Sequence, residues 1–255
     1  MILNKCRLCK SKKLFQFLDL GFHPPSDQFK MKVELNNPTI YYPLKICSCI
    51  SCGFKQLNYV VEPKILYQRN YPYESSLTKT GKKHWFEFAE STVKEYNLKN
   101  RELVVDIGSN TGVLLNAFKK NKLKIVGVDP APNICKIANK RGIPTINSFF
   151  NENTVKKILK KYGRAKIITG TNVFAHINNL DIFIKNIKKL IHKKEGVFVI
   201  EVPHFLHLVK SLEYDTIYHE HLSYITVIPL IKFLKKFNLQ IIDVQKRDIH
   251  GGSIR

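Results

Sequence analysis

The stretch "VVDIGSNTG", residues 104–112, decides the fold. An apolar run leads into an acid, Asp106, and then into Gly108 and Gly112 with Asn110 between them, in the pattern D-x-G-x-x-x-G. A strand that ends in a glycine-bearing turn and opens a helix puts that turn at the carboxyl edge of a sheet, where open α/β folds bind nucleotides. The spacing is not the G-x-G-x-x-G of dinucleotide enzymes, and it carries no Walker lysine.

Outward from that turn, short β-rich runs recur: "ELVVDIG", "KIVGVDP", "IPTIN", "AKIITGTN" and "GVFVIEVP", each separated from the next by an amphipathic segment of helix length. Such alternation predicts a parallel sheet with helices on both faces. A further run, "LQIIDVQK", reads as a sixth strand, and "GGSIR" as the start of a strand hairpinning back beside it. Asp129 closes the second strand about twenty residues after the glycine turn, where an acid can accept hydrogen bonds from both hydroxyls of a ribose. Together the turn and the acid resemble motif I of class I S-adenosylmethionine methyltransferases. Asn172, in "GTNVFAH" at the end of the fourth strand, reaches the same edge with His176, and the absence of Pro-Pro-aromatic after Asn172 argues against methylation of nucleic-acid bases.

The N-terminal part reads differently. Five of the six cysteines precede residue 53, in two C-x-x-C knuckles, Cys6/Cys9 and Cys49/Cys52, with Cys47 as a spectator. Two such pairs supply the four thiolates of a tetrahedral structural zinc site. The disulfide alternative needs an oxidising compartment, for which the chain has no export signal. Cys135 falls in a segment of helical pattern and reads as a small core residue. The expected organisation is a zinc-binding domain over 1–66, a helical connector over 67–98 with a helix from about Leu77 to Leu98, a cofactor-binding core over 99–203, and over 204–255 a catalytic motif, the last strands of that core and the start of a truncated C-terminal domain. Trp85, Phe86 and Phe88 read as helix packing, and His84 and His192 as exposed.

The formal charge of +22, from 42 Lys and Arg against 20 Asp and Glu, suggests an acidic partner. The lysines, however, lie on helix faces opposite apolar residues, as in "IFIKNIKKLIHKK", which is the pattern of a solvated face. No specific nucleic-acid partner is expected on that ground. No run approaches the roughly 20 apolar residues of a membrane span, and the chain reads as a cytoplasmic protein.

The stretch "YHEHLSY", residues 218–224, concentrates proton-handling groups: Tyr218, His219, Glu220, His221 and Tyr224. It admits three readings: an acid/base site, a metal site using His219 and His221 with His204 or His207, or a polar surface loop. An acid/base site suits removal of a proton beside a ketone, for which His221 is the first candidate base and Tyr218 and Glu220 its partners.

The knuckles, "YPYESS", "VVDIGSNTG", "NVFAH", "EVPH", "YHEHLSY" and "HGGSIR" together resemble the zinc-containing, S-adenosylmethionine-dependent sugar C-methyltransferases of deoxysugar biosynthesis. The resemblance runs from Cys6 to Arg255. It implies a Rossmann-like α/β core behind a small zinc domain, a nucleotide-linked 4-keto-6-deoxysugar as substrate, and methyl transfer to C3 through an enolate. It also adds Tyr73 to the catalytic set and implies a further C-terminal domain beyond "HGGSIR", so the chain reads as truncated. Two other classes remain: a zinc-ribbon RNA methyltransferase, and a binding protein that holds a nucleotide sugar without turning it over.

Overall fold

The computed structural model describes residues 1–68, 71–75 and 78–255. Ser76 of "YPYESS" and Leu77, where a helix was expected to begin, lie outside the described residues. Two compact units divide the chain: Met1–Leu66, Phe174–Asp181 and Glu201–Arg255 form the first, Tyr67–Val173 and Ile182–Ile200 the second.

The chain opens in the first unit with β1 (Leu14–His23), β2 (Tyr42–Cys49), β3 (Lys55–Leu57) and α1 (Pro63–Tyr67). It continues with α2 (Lys79–Glu95), β4 (Leu103–Ile107), α3 (Val113–Lys120), β5 (Lys124–Asp129), α4 (Pro132–Lys140), β6 (Thr145–Asn147), α5 (Glu152–Tyr162), β7 (Ile167–Thr171) and α6 (Leu180–Leu190). Next, β8 (Val197–Pro203) leads back into the first unit, which closes with α7 (Phe205–Ser211), β9 (Ser223–Tyr224), α8 (Val227–Lys235), β10 (Lys246–Arg247) and β11 (Ser253–Ile254).

In the second unit the strands lie in the order β8, β7, β4, β5, β6, and the pairings of β4 with β5 and β7, and of β5 with β6, are parallel. Every residue of β4 is buried, as an apolar strand covered on both faces must be. Trp85 and Phe88 of α2 pack with Leu114, Leu115 and Phe118 of α3. Burying a phenylalanine as completely as Phe88 contributes about 2–3 kcal/mol. Thr78 caps α2, its side chain accepting from Gly81 N at 3.1 Å, and Asn151 caps α5 through Thr154 N at 3.0 Å. His84, expected to be exposed, is half-buried instead, its ring edge-on to Trp85 at 4.7 Å. No helix among the described residues is long and apolar enough to cross a membrane.

The first unit is built on an antiparallel sheet in the order β1, β2, β3, β9. Its fourth strand comes from "YHEHLSY": Ser223 pairs with Gln56 and Tyr224 with Lys55. Leu44, Ile46 and Leu57 share one core with Ile217, Leu222 and Tyr224. Residues 204–255 thus give β9 to this sheet, while β10 and β11 extend the mostly parallel sheet beyond β8.

The expected sixth strand forms only at its end, as β10, with β11 hairpinning back beside it. Over "LQIIDVQK" only Lys246 belongs to a strand, and β11 pairs antiparallel with both β10 and β8, as Ile254 opposite Val202. The alternation that suggested a strand is real, but Ile242 and Val244 are 65% and 44% exposed, so no packing rewards extension there. The Asp243 side chain takes the Val244 amide at 2.7 Å in place of a ladder partner.

Candidate active site and metal centre

Each C-x-x-C knuckle is a tight turn closed by its own backbone. Cys6 accepts from Lys10 N at 3.0 Å and Cys49 from Gly53 N at 2.8 Å, and both turns end in a left-handed residue, Lys10 at φ 66° and Gly53 at φ 77°. The four thiols converge. Cys6 Sγ lies 3.6 Å from Cys52 Sγ, Cys9 Sγ lies 3.5 Å from Cys49 Sγ, and all four fall within 4.8 Å of one another. A tetrahedron with zinc–sulfur bonds of about 2.3 Å has edges of about 3.8 Å, so the set fits zinc. Burial, with the Cys49 charge adding and backbone and Cys52 hydrogen bonds opposing, pushes the Cys6 thiol up to about 11, and a metal charge is what would hold these sulfurs as thiolates. Cys47 is buried outside the group.

At the carboxyl edge of the second unit, the glycine turn is constrained twice over. Gly108 has φ +66° and a Cβ there would sit 2.3 Å from Val173 Cγ2; Gly112 has φ +79° and would meet Ile143 at 2.7 Å. Neither position admits a side chain, and the backbone is left bare toward a ligand. Asp129 receives two backbone donors, Asn110 N on Oδ2 and Ala131 N on Oδ1, both at 2.9 Å. Each carboxylate oxygen keeps a lone pair for a further donor. Asp106 is buried behind the turn with Thr169 Oγ1 donating to Oδ1 at 2.6 Å. Burial, and then the nearby Asp129 charge, push it up to about 7 against the Thr169 hydrogen bond. Asn172, left-handed at φ 56°, follows β7, and its Oδ1 is buried with no hydrogen-bond partner among the described residues.

The Asn110 side chain makes contacts outside the turn. Its Oδ1 accepts from Ser75 N at 2.9 Å and Thr111 N at 2.8 Å, and its Nδ2 donates to Tyr73 O at 3.0 Å. The side chain thus fastens residues 73–75 to the glycine turn. Asn133, exchanging hydrogen bonds with Tyr71 N and O, holds the same segment one turn upstream. The Tyr73 side chain is 46% exposed, and burial of its hydroxyl raises its pKa.

The first unit holds the proton-handling cluster. Residues 219–224 are all buried, which removes the surface-loop reading of "YHEHLSY". His221 Nδ1 is 2.7 Å from Thr216 O, and its Nε2 is 3.0 Å from the Tyr218 hydroxyl. A carbonyl only accepts, so Nδ1 carries the proton and Nε2 presents a lone pair to Tyr218. Burial lowers His221 to about 4, the Thr216 bond opposing and the His250 charge adding. His176 joins them with its ring 5.1 Å from that of His221 and its Nδ1 3.8 Å from Glu220 Oε2. Burial holds His176 well below the usual imidazole range, and the charge of His221 adds to the effect. His219 turns to β2, its Nε2 3.3 Å from Tyr42 O, and does not share a point with His221. The cysteine group is the one cluster among the described residues that converges on a metal position.

Tyr218, Glu220 and His221 are therefore brought together in the first unit. Asp106, Gly108, Asn110, Gly112, Asp129, Asn172 and Tyr73 belong to the second. Sequence reasoning placed His176 at the cofactor edge and missed its packing with His221. The Thr216 carbonyl, a backbone group, left no signal in residue type.

Two family models match successive parts of the chain. A family model for a zinc binding domain matches residues 6–67, and one for a methyltransferase domain matches residues 82–244. C-methyltransferase NovU of Streptomyces niveus is 31% identical over 252 residues, which are 99% of this chain and 60% of NovU; the chain spans about three fifths of that relative's length. Among solved structures, plantazolicin methyltransferase BpumL in complex with SAH superposes with a TM-score of 0.51 at 16% identity, over 65% of this chain and 68% of its own. Magnesium protoporphyrin IX methyltransferase ChlM of Synechocystis PCC 6803 with bound SAH gives 0.52 at 12%, over 71% and 89%. At such identities the likeness is one of fold.

Proposed function

The chain belongs to the methyltransferase domain family, and from that premise we propose that the protein transfers a methyl group from S-adenosylmethionine to C3 of a nucleotide-linked 4-keto-6-deoxysugar in the cytoplasm. The observation that carries the reading is the buried chain of groups Thr216 O, His221 and Tyr218, ending in an imidazole lone pair held neutral near physiological pH. The similarity to NovU, a C-methyltransferase, supports transfer to carbon.

Carbon becomes a nucleophile here only after a proton leaves from beside the ketone. Tyr218 and His221 act as a pair for that step: the C3 proton is taken at the pair, Nε2 is its final resting place, and Thr216 O fixes the tautomer that leaves Nε2 open. Glu220, behind His176, favours positive charge developing in the cluster. S-adenosylmethionine, when bound, supplies an electrophilic methyl on a sulfonium centre. Gly108 and Gly112 leave room for it, Asp129 accepts from its ribose hydroxyls, and Asn172 Oδ1 offers an unused acceptor. The cysteine cluster holds a closed, structural zinc with no open position for chemistry.

The test is C3 exchange. A 4-keto-6-deoxy nucleotide sugar incubated with the protein in deuterated buffer is expected to take up deuterium at C3 and, with the donor added, to gain a methyl group there. A folded, donor-binding protein that leaves C3 untouched sinks the substrate assignment. For the donor site, Asp129→Ala is expected to weaken S-adenosylmethionine and its demethylated product alike by on the order of 2 kcal/mol, roughly thirtyfold, because charge-assisted hydrogen bonds are lost from both. Calorimetry reads this directly, and unchanged affinity refutes the ribose contact.

A further inference from the structure

Arg7 lies between two metal-ligand positions, Cys6 and Cys9, and is 4% exposed. Its main chain faces one half of the proton-handling cluster. Arg7 N donates to Gln56 Oε1 at 2.7 Å, and Gln56, in β3, sits opposite Ser223 of β9, two residues after His221. The next residue, Leu57, donates its N–H to Leu222 O at 3.1 Å. Its side chain faces the other half. Nη1 donates to Asn178 O at 3.1 Å and to Asn178 Oδ1 at 2.8 Å, two residues after His176. Lys10, directly after Cys9, repeats the arrangement by donating to Arg7 O at 2.7 Å and pairing with Asp181.

A guanidinium is a costly group to bury for packing alone; an apolar side chain of like volume fills the same space without desolvation. Its geometry explains its presence better. Residues 174–181 have only one short 3-10 turn before α6, and such a segment drifts unless tied. The 5.1 Å approach of His176 to His221 needs that drift suppressed. Four thiolates around one divalent cation leave net negative charge, which favours a cation held beside them.

We propose that Arg7 is a positioning residue: it braces the segment bearing His176 against the first thiolate knuckle and so fixes His176 beside His221. The zinc site then holds the acid/base cluster in register as well as the fold. This rests on reading His176 and His221 as the proton-handling groups, and its test uses neither donor nor sugar.

The zinc-loaded full chain carrying Arg7→Met is compared with wild type by metal analysis, by amide hydrogen exchange, and by an NMR titration of the His176 imidazole. The expected result is one zinc per chain retained, exchange of the 174–181 amides at least tenfold faster, β2 and β3 protected as before, and His176 titrating closer to a free imidazole. Arg7→Lys, which keeps one donor and the charge, is expected to recover part of the protection. Asn178→Ala removes one acceptor from an exposed position where folding is not at stake, and is expected to speed the same amides alone. Unchanged exchange in 174–181 in the Asn178 variant and in any folded Arg7 variant overturns the proposal. Equal loss of protection across β2 and β3 does so too, since that marks a residue of the fold only. A protein that braced His176 as described but moved no methyl group would overturn the proposed function and leave this result standing.

Discussion

His221→Asn is expected to lower C3 exchange and methyl transfer together by 10²–10⁴-fold, the usual contribution of a positioned general base. Donor affinity should stay near wild type, because Asp129 and the glycine turn belong to the other unit and make their own contacts. Two companion variants locate the base within the pair. If exchange survives in His221→Asn and disappears in Tyr218→Phe, the phenol takes the proton and His221 only orients it. If it disappears in Tyr73→Phe alone, the base lies outside the Tyr218–His221 pair. The pH profile adds a sign. A base that loses its lone pair on protonation works above its pKa, and burial lowers His221 to about 4, so the acidic limb of exchange should fall near that pH rather than near 6.5. A limb near 6.5 would mean that the imidazole is far better solvated in the working protein.

The second large effect belongs to the cysteines. Cys6→Ser combined with Cys52→Ser leaves two thiolates, and metal analysis should show the zinc gone. Structural zinc contributes on the order of 10 kcal/mol in small domains, so the first unit should melt at far lower temperature or not fold. Because β9 pairs with β3 in that unit, the cluster around His221 should be lost with it. The second unit keeps its own core of Phe88, Phe118 and Val104. It should still bind the donor, and this separates loss of zinc from general unfolding. A double variant with its metal and its melting behaviour intact would rule out the assignment.

Much of this was legible in local pattern. Five strands of the second unit announce themselves as apolar runs ending in glycine, acid or turn residues, and each is where the pattern puts it. The knuckles are readable because a tetrahedral metal demands fixed spacing. What escaped was long-range. Nothing in "YHEHLSY" says that Ser223 and Tyr224 complete a sheet begun at residue 14, so its burial, and the low pKa that follows, were invisible. His176 looked like a cofactor-edge residue because it trails Asn172 by four positions. Its partners, His221 and Glu220, come from the far end of the chain. Arg7 carried a faint signal, a charged residue inside a knuckle, but its meaning depends on Asn178. "LQIIDVQK" extends into a strand only at its end, where Gln245 and Arg255 exchange backbone hydrogen bonds, because Ile242 and Val244 stay exposed before it.

The Asn110 side chain has a thermodynamic consequence. One amide group ties Tyr73 and Ser75 to the glycine turn, while the N–H of the same residue ends on the Asp129 carboxylate. Order in residues 73–75 and order in the turn are therefore coupled equilibria. Whatever tightens the turn must draw in the tyrosine segment by the same free energy with which that segment, once ordered, tightens the turn, because such coupling is reciprocal. Donor arrival and product departure would then be felt at Tyr73 without either molecule touching it.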